Sequence, residues 1–358
     1  MPGQPSAERP ARQLDALTSL RFFAAFAVLL YHVPYTLTQS VGWTILPDGS
    51  LGVSFFFVLS GFILRHVYQG DRLDTKRFYR KRFARIYPLH AITFVIWTAL
   101  FFRGWGNPLT EKLNSGIANI LLLQAFFSGP LFTLGYNAVS WSISVEAFFY
   151  AVYPMLVKRA AYILVFVAYL LSFVFMPATI HDGLDQAFPN FFFFNPIARM
   201  LEFSFGMVLH DVFDRVRLSG IATTAIQAAS LGALLVLVPL TRSLTDATRN
   251  VVLLLPFGTV ILSMAFDGEL QRILTNRVLV ILGESSFALY MIHHMLFRFI
   301  DQFLISMPRP LAFVSATGAA VLLSVVVHFA VERPMRALMS EGWISPRSDS
   351  RPRGVEPV

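Results

Sequence analysis

An arginine and a histidine lie inside the first long apolar stretch of the chain, residues 14–33, and this pair strongly limits how the chain can fold. Arg21 and His32 are eleven residues apart. On an α-helix this spacing places them within about 20° of the same face and about 16 Å apart along the axis. An ionisable side chain at membrane depth is costly unless it faces a bundle interior or a watery cavity, so the pattern predicts a functional face. The alternative is that Arg21 reaches the membrane surface while His32 bonds a neighbouring helix.

Apolar residues dominate the composition: 55% of the 358 residues are hydrophobic, 14% are charged, and the mean hydropathy is +0.60. Soluble domains contain about a quarter charged residues, so we expect an all-α, polytopic integral membrane protein with about ten transmembrane helices. The stretches long enough to cross a bilayer are residues 17–37, 51–69, 86–102, 139–157, 160–177, 192–210, 219–240, 249–266, 278–299 and 311–331. A shorter apolar stretch, residues 113–127, is expected to form a re-entrant or interfacial helix.

The basic residues cluster in polar segments between these stretches, and with ten crossings every cluster falls on one side of the membrane. The positive-inside rule makes that side the cytoplasm. We therefore expect a multi-pass protein of the inner (plasma) membrane with both termini cytoplasmic, whose net charge of +8 needs no nucleic acid partner. The predicted organisation is a polar N-terminus at residues 1–13, a membrane domain at 14–334 and a disordered cytoplasmic tail at 335–358.

Seven basic residues lie within the fourteen positions 72–85, most of them in a predicted loop at residues 76–88. Arg82 and Arg85 are three apart, a spacing that puts two side chains on one helix face. Two guanidinium groups placed in this way can bind one phosphate-bearing ligand through bidentate hydrogen bonds. The alternative is a topological cluster that binds anionic lipid.

Small residues interrupt the aromatic stretch GVSFFFVLSGFIL at residues 52–64. Gly52, Ser54, Ser60 and Gly61 would let either another helix or a ligand approach the backbone closely.

Glu146 lies in an apolar stretch, where an unpaired carboxylate would be expensive. It either pairs with an arginine such as Arg199 or orients a histidine or a substrate hydroxyl.

A tyrosine and two histidines end the segment GESSFALYMIHH at residues 283–294. Tyr290 and His293 are three apart and share a helix face, whereas His294 points about 100° away. Because adjacent histidines diverge on a helix and the chain has no cysteine, no metal site is expected.

In combination these motifs resemble those of the membrane-bound acyltransferase 3 family, whose bacterial members O-acylate carbohydrates and related acceptors at the cell envelope. Six matches occur in the family's order across residues 14–334. They are Arg21 to His32 for R-x10-H, GVSFFFVLSGF for G-V-x-x-F-F-V-L-S-G-F, Arg82 with Arg85 for RxxR, WSISVE for WSLxxE, GESSFALYMIH for G-x-x-S-Y-x-x-Y-L-x-H, and Glu332-Arg333-Pro334 for the terminal ERP. Phe287 and Met291 stand where the family usually has Tyr and Leu, which argues against a catalytic phenol at position 287.

The resemblance implies an enzyme that moves an acyl group, most often acetyl, from cytoplasmic acyl-CoA to a hydroxyl of an envelope glycan, a glycolipid or a glycosylated metabolite. Acyl-CoA is then a donor substrate, and no bound cofactor is implied. The residues expected to bind the donor are Arg82, Arg85 and Arg21. The candidate catalytic residues are His32, Arg21, Glu146 and His293. Among them His32 is the expected general base on the acceptor hydroxyl, or else a transient acyl carrier.

Some relatives carry an additional extracytoplasmic hydrolase-like domain, and this chain is expected to be a transferase without one. A transporter or flippase of an anionic lipid or glycan is the alternative function, with the buried charges as its substrate pathway. Such a protein would contain paired broken helices in two repeated halves, and no repeat of this kind is visible in the sequence. The sequence leaves the oligomeric state open.

Overall fold

The computed structural model describes residues 12–33, 48–68, 73–102, 106–158, 160–175, 178–188, 190–300 and 307–341. Within these ranges the chain is helical and contains no strand, which confirms the predicted all-α class. The α-helices are α1 (Arg12–Tyr31), α2 (Leu51–Val67), α3 (Thr75–Phe101), α4 (Leu109–Ile120), α5 (Pro130–Thr133), α6 (Trp141–Lys158), α7 (Ala161–Phe175), α8 (Ala178–Ala187), α9 (Phe191–Phe194), α10 (Met200–Arg215), α11 (Gly220–Leu240), α12 (Asp246–Met264), α13 (Glu269–Leu274), α14 (Arg277–Glu284), α15 (Ser286–Ile300), α16 (Arg309–Val327) and α17 (Arg333–Glu341).

The ends of the chain were predicted to be a polar segment and a disordered tail. The N-terminal residues 1–11 and the tail from residue 342 lie outside the described residues. Residues 335–341, assigned to the tail by the sequence prediction, belong to α17, which follows a π-helical turn at His328–Glu332.

Several helices have the length and composition of membrane spans, but the predicted count of ten is not confirmed. Among the described residues five helices qualify, and seven if each of two bent helix pairs forms one span. The predicted span 51–69 contains α2, which has 17 residues, and the predicted span 192–210 overlaps α10, which has 16 residues and ends at Arg215. The predicted span 278–299 bends by 60° between α14 and α15. The short stretch 113–127, for which a re-entrant or interfacial helix is expected, overlaps α4 (Leu109–Ile120). With 12 residues α4 is too short to cross a bilayer.

The prediction of a loop at residues 76–88 is wrong, because the basic run forms the first half of α3. Asp74 caps this helix by accepting a hydrogen bond from the backbone N–H of Arg77 at 3.0 Å. Arginine and lysine are good helix formers, so the run continues the helix without a break into the apolar second half, past Pro88. Helical geometry therefore applies to Arg82 and Arg85.

Helices α2 and α10 cross at a pair of glycines. A Cβ atom added to Gly61 would lie 2.0 Å from the carbonyl oxygen of Phe203, and one added to Gly206 would lie 2.0 Å from that of Val58. The two backbones are in direct contact, as in the small-residue interfaces of membrane helices. For the small residues of the segment 52–64, the sequence predicted close approach of either another helix or a ligand. At Gly61 it is another helix that approaches.

Helix α1 is approached closely by two other elements. A Cβ at Gly52 of α2 would lie 2.5 Å from the carbonyl oxygen of Ala24, and a Cβ at Gly283 of α14 would lie 2.1 Å from that of Thr18. These contacts fix α1 between α2 and the α14–α15 pair. The side chain of Arg21, between Thr18 and Ala24, is thereby held in the interior of the bundle.

An ion-pair cluster ties the start of α2 to α12 and to the turn that precedes it. Asp48 accepts hydrogen bonds from Arg242 at 2.6 and 2.8 Å and from Arg249. Burial raises the pKa of the Asp48 carboxyl, but the hydrogen bonds from both arginines outweigh burial and hold the pKa below its ordinary value. Asp48 is therefore charged at neutral pH and anchors the first turn of α2.

Replacing Gly61 by Ala is expected to destabilise the protein, because the new methyl group would meet the backbone of α10 and the helices would have to separate. Overpacking of this kind costs about 1–3 kcal/mol. The measurement is thermal unfolding of the detergent-purified protein. Gly232→Ala on α11 is the matched control, since nothing lies within 4 Å of the added Cβ, and it should be neutral or stabilise by up to about 1 kcal/mol. Equal melting temperatures for the two variants would contradict the proposed crossing.

Candidate functional site

Four of the predicted site residues line a single cavity of about 100 Å³. Arg21 comes from α1, Arg82 and Arg85 from α3, and Glu146 from α6. We refer to this space as the arginine cavity. Much of the remaining lining is apolar, so charges inside it interact more strongly than they would in water. Residues widely separated in the sequence thus meet at one place.

The three guanidinium groups of the arginine cavity are held differently. Arg82 donates to the hydroxyl of Tyr68 at 2.9 Å, and its guanidinium lies 5.2 and 5.6 Å from the ring centroids of Tyr68 and Tyr150. Arg21 and Arg85 form no ion pair or side-chain hydrogen bond with any residue in the described ranges. Their N–H donors remain available to an anion that enters the cavity.

Glu146 lies in the arginine cavity rather than against a histidine. It accepts a hydrogen bond from the hydroxyl of Tyr150, one helical turn further along α6. Arg85, Glu146 and Glu332 are the charged groups that act electrostatically on Arg21. The carboxylate of Glu146 therefore partly offsets the concentration of positive charge around the cavity.

The alternative pairing of Glu146 with Arg199 is wrong. Arg199 forms an ion pair with Glu202 at 2.8 Å, and both side chains are about 1% exposed. Arg199 also donates to Ser54 Oγ at 2.8 Å and lies 5.1 Å from the ring centroid of Phe57. Glu202 lies one turn away on the same helical segment, so Arg199 finds its counter-charge locally and Glu146 is left to the cavity.

His32 lines a second and larger cavity of about 880 Å³. We refer to it as the histidine cavity. Its size is typical of a site for a small molecule. Aromatic and polar side chains alternate around it, and they include Tyr31, Trp97, Trp141, Phe193, Phe194, Asn107, Glu111, His294 and Arg298.

Hydrogen bonds determine which nitrogen of His32 is free. His32 Nδ1 lies 2.9 Å from the carbonyl oxygen of Val28, and His293 Nδ1 lies 3.0 Å from that of Leu289. A carbonyl oxygen only accepts, so each Nδ1 carries the proton and each Nε2 of the neutral rings has a lone pair. The Nδ1–H of His32 is shared between the carbonyl oxygen of Val28 and His293 Nε2, which lies 3.2 Å from His32 Nδ1. The Nε2 of His32 is thus left as the unprotonated nitrogen, while both nitrogens of the fully buried His293 are engaged.

His294 is a residue of the histidine cavity that the sequence reasoning set aside. Its ring centroid lies 5.6 Å from that of His32 and 6.4 Å from that of Trp97. His293 and His294 diverge on α15 as expected, but both rings contact His32. The pair of adjacent histidines was the only sequence feature that could have indicated this. Its relation to His32 depends on α1 lying beside α15, which the sequence does not show. No group of three or more His, Cys, Asp or Glu side chains in the described part of the chain is arranged to hold a metal ion.

The two cavities share two lining residues, Val53 of α2 and Tyr290 of α15. The first turn of α6 also lies between the two cavities. Trp141 lines the histidine cavity, and the next residue, Ser142, lines the arginine cavity. The available cations and the free histidine nitrogen therefore belong to adjoining cavities that share Val53 and Tyr290 as lining residues.

Comparison with known proteins adds independent information. A family model described as an acyltransferase domain matches residues 14–329. The acyltransferase MdmB of Streptomyces mycarofaciens is 32% identical over 321 residues, which are 80% of each chain. YrhL of Bacillus subtilis, proposed to be a peptidoglycan O-acetyltransferase, is 26% identical over 230 residues, and the O-acetyltransferase OatA of Staphylococcus aureus is 27% identical over 160.

These matches cover 58% and 41% of this chain but only 34% of YrhL and 25% of OatA. No solved structure is significantly similar to the chain.

Glu202 and Glu146 should respond differently to neutralisation, because Glu202 is buried in an ion pair whereas Glu146 is half-buried and lines a cavity. Glu202→Gln leaves the charge of Arg199 buried without its partner, and breaking such a pair costs about 3–5 kcal/mol. Glu146→Gln faces a cavity and should change stability by less than about 1 kcal/mol. Thermal unfolding of the purified variants, followed by tryptophan fluorescence, measures the difference. A Glu146→Gln variant as unstable as Glu202→Gln would assign Glu146 to the structural framework.

Proposed function

Because this chain belongs to the acyltransferase 3 family, in which it is a membrane O-acyltransferase, we propose that it transfers an acyl group, acetyl in the simplest case, from acyl-CoA to a hydroxyl of a carbohydrate or glycolipid. The observation that carries the proposal is a pair of adjoining cavities. One is lined by Arg21 and Arg85, which form no ion pair within the described residues, and the other by a histidine with a free Nε2.

The arginine cavity suits the donor. CoA carries several phosphate groups, and Arg21 and Arg85 have uncommitted guanidinium groups that can bind phosphate in bidentate fashion. At about 100 Å³ the cavity is too small for the nucleotide part of CoA. The phosphates therefore bind at the mouth, and only the narrow pantetheine arm enters towards Val53 and Tyr290.

The histidine cavity suits the acceptor. Aromatic side chains such as Tyr31 and Phe194 offer apolar surface, and Asn107, Glu111 and Arg298 offer hydrogen-bonding groups. A sugar presents both kinds of surface. The hydroxyl to be acylated would lie at the Nε2 of His32.

His32 then acts as the general base. Its Nε2 accepts the proton of the acceptor hydroxyl as the oxygen attacks the thioester carbonyl. The carbon–sulfur bond breaks, and the imidazolium returns the proton to the departing thiolate, so the products are the ester and free CoA. His293 is a positioning residue, because its Nε2 holds the Nδ1–H of His32 and so keeps the reactive nitrogen turned to the acceptor.

The orientation in the membrane follows from the donor. Acyl-CoA is cytoplasmic, so the end of α3 that carries the basic run faces the cytoplasm, in agreement with the positive-inside rule. The histidine cavity then receives an acceptor from the membrane or from its outer side. A transporter of anionic lipid or glycan, the alternative function, would use the buried charges as its substrate pathway and would release no free CoA from acyl-CoA.

Donor binding is tested by Arg85→Ala. A charge-assisted hydrogen bond contributes roughly 1.5–3 kcal/mol, so the affinity for CoA should fall about tenfold or more. Arg85→Lys should recover only part of it, because lysine lacks the planar fork. Calorimetric titration of CoA measures the effect. Arg77→Ala, on the same helix but exposed and outside the cavity, is the matched control, and equal losses in both alanine variants would reduce the role of Arg85 to general surface charge.

Base catalysis is tested by three variants at the histidine pair. His32→Ala should lower the transfer rate by about 10² to 10⁴ while CoA still binds. His293→Gln keeps an acceptor for His32 Nδ1 and should retain more activity than His293→Leu. The chain has no cysteine, so a thiol reagent detects free CoA without a protein background. Wild-type turnover in a correctly inserted His32→Ala protein would refute the assignment of the base.

A further inference from the structure

Val53 and Tyr290 line both cavities, and we refer to the position between these two side chains as the junction. If the donor arm enters through the arginine cavity and the acceptor through the histidine cavity, the acyl carbon has to be placed between these two side chains. We propose that the side chain of Val53 determines the length of the acyl chain that the enzyme transfers. This inference rests on the proposed function and goes beyond it by assigning a residue to acyl selectivity.

Tyr290 forms a rigid side of the junction. Its hydroxyl donates to the carbonyl oxygen of Val139 at 3.0 Å and accepts from Ser142 Oγ at 2.7 Å. The side chain is about 5% exposed, so moving the ring would leave buried polar groups without partners. The ring therefore cannot turn aside to admit a longer acyl chain.

Val53 forms an equally rigid second side. The preceding residue, Gly52, packs against the backbone of Ala24, and the following residue, Ser54, accepts the hydrogen bond of the buried Arg199. Both contacts fix the backbone of α2 at this position. A β-branched valine in a helix also has one strongly preferred rotamer. The free space at the junction is therefore determined by the size of the residue at position 53.

The surroundings give a longer chain no other place. Phe56 and Phe57 line the arginine cavity next to Val53, and the cavity measures about 100 Å³. On the other side a long acyl chain would occupy the space that the acceptor needs. Since one additional methylene changes discrimination in an apolar pocket by about tenfold or more, the wild-type protein is expected to favour short acyl groups.

The test compares donors that differ only in chain length. S-ethyl-, S-butyl- and S-hexyl-CoA are hydrolysis-resistant thioethers whose binding is measured by calorimetry, and acetyl-, butyryl- and hexanoyl-CoA are used in parallel for release of free CoA. In Val53→Ala the preference for the hexyl over the ethyl compound should rise about tenfold or more relative to wild type. In Val53→Leu it should fall, and in each variant the affinity for unmodified CoA is the reference to which the thioethers are compared.

Val58→Ala is the matched control, because Val58 is a fully buried valine of α2 that lines neither cavity. It should leave the chain-length preference within about twofold of wild type. A preference in Val53→Ala or Val53→Leu equal to that of Val58→Ala overturns the proposal. Binding of unmodified CoA reports folding, and if Val53→Ala fails this check, Val53→Leu decides the question. A wild-type protein that binds no CoA compound would instead refute the proposed function itself.

Discussion

The cost of placing a guanidinium in the interior of a membrane protein governs this structure. Arg199, which is buried, and Arg21, which is half-buried, meet that cost in opposite ways. Arg199 is neutralised by Glu202 and hydrogen-bonded to Ser54, so its charge is used within the fold. Arg21 has no such partner within the described ranges and faces a cavity with Arg85. Glu146 offsets only part of the positive charge there, and charged groups that face a cavity at membrane depth are typical of a ligand site rather than of a structural contact.

The packing of α1 converts this charge into a site. Glycines of α2 and α14 bring neighbouring backbones against α1, so a small rotation of the helix would meet resistance on two sides. Arg21 and His32 lie at different positions along the axis of α1, and each is therefore held in a different cavity. The tautomer of His32 is then fixed by hydrogen bonds. The Nδ1 atoms of His32 and His293 each bond a backbone carbonyl oxygen one turn earlier in their own helix. The fold thus places Arg21 and His32 in adjoining cavities that share Val53 and Tyr290 as lining residues.

The periodicity of α1 predicts much of this arrangement, because the spacing of Arg21 and His32 depends only on helical geometry. The same holds for Arg82 and Arg85, although their segment is a helix rather than a loop. The role of His294 depends on how α15 lies beside α1, and the lack of an ion pair at Arg85 depends on every helix around it. Tertiary contacts of this kind leave no trace in local periodicity. The number of membrane spans is also difficult to predict, because bends such as that between α14 and α15 interrupt apolar stretches that look continuous in the sequence.

The central claim is that a donor in the arginine cavity and an acceptor in the histidine cavity meet at Val53 and Tyr290. A cryo-electron microscopy structure with bound S-ethyl-CoA tests it most directly. We expect the phosphate oxygens of the bound compound within hydrogen-bonding distance of Arg85 or Arg21, about 3 Å. We expect its sulfur atom at the junction, on the side of His32 Nε2. Phosphates bound in the histidine cavity, or a sulfur atom separated from His32 by the ring of Tyr290, would contradict it.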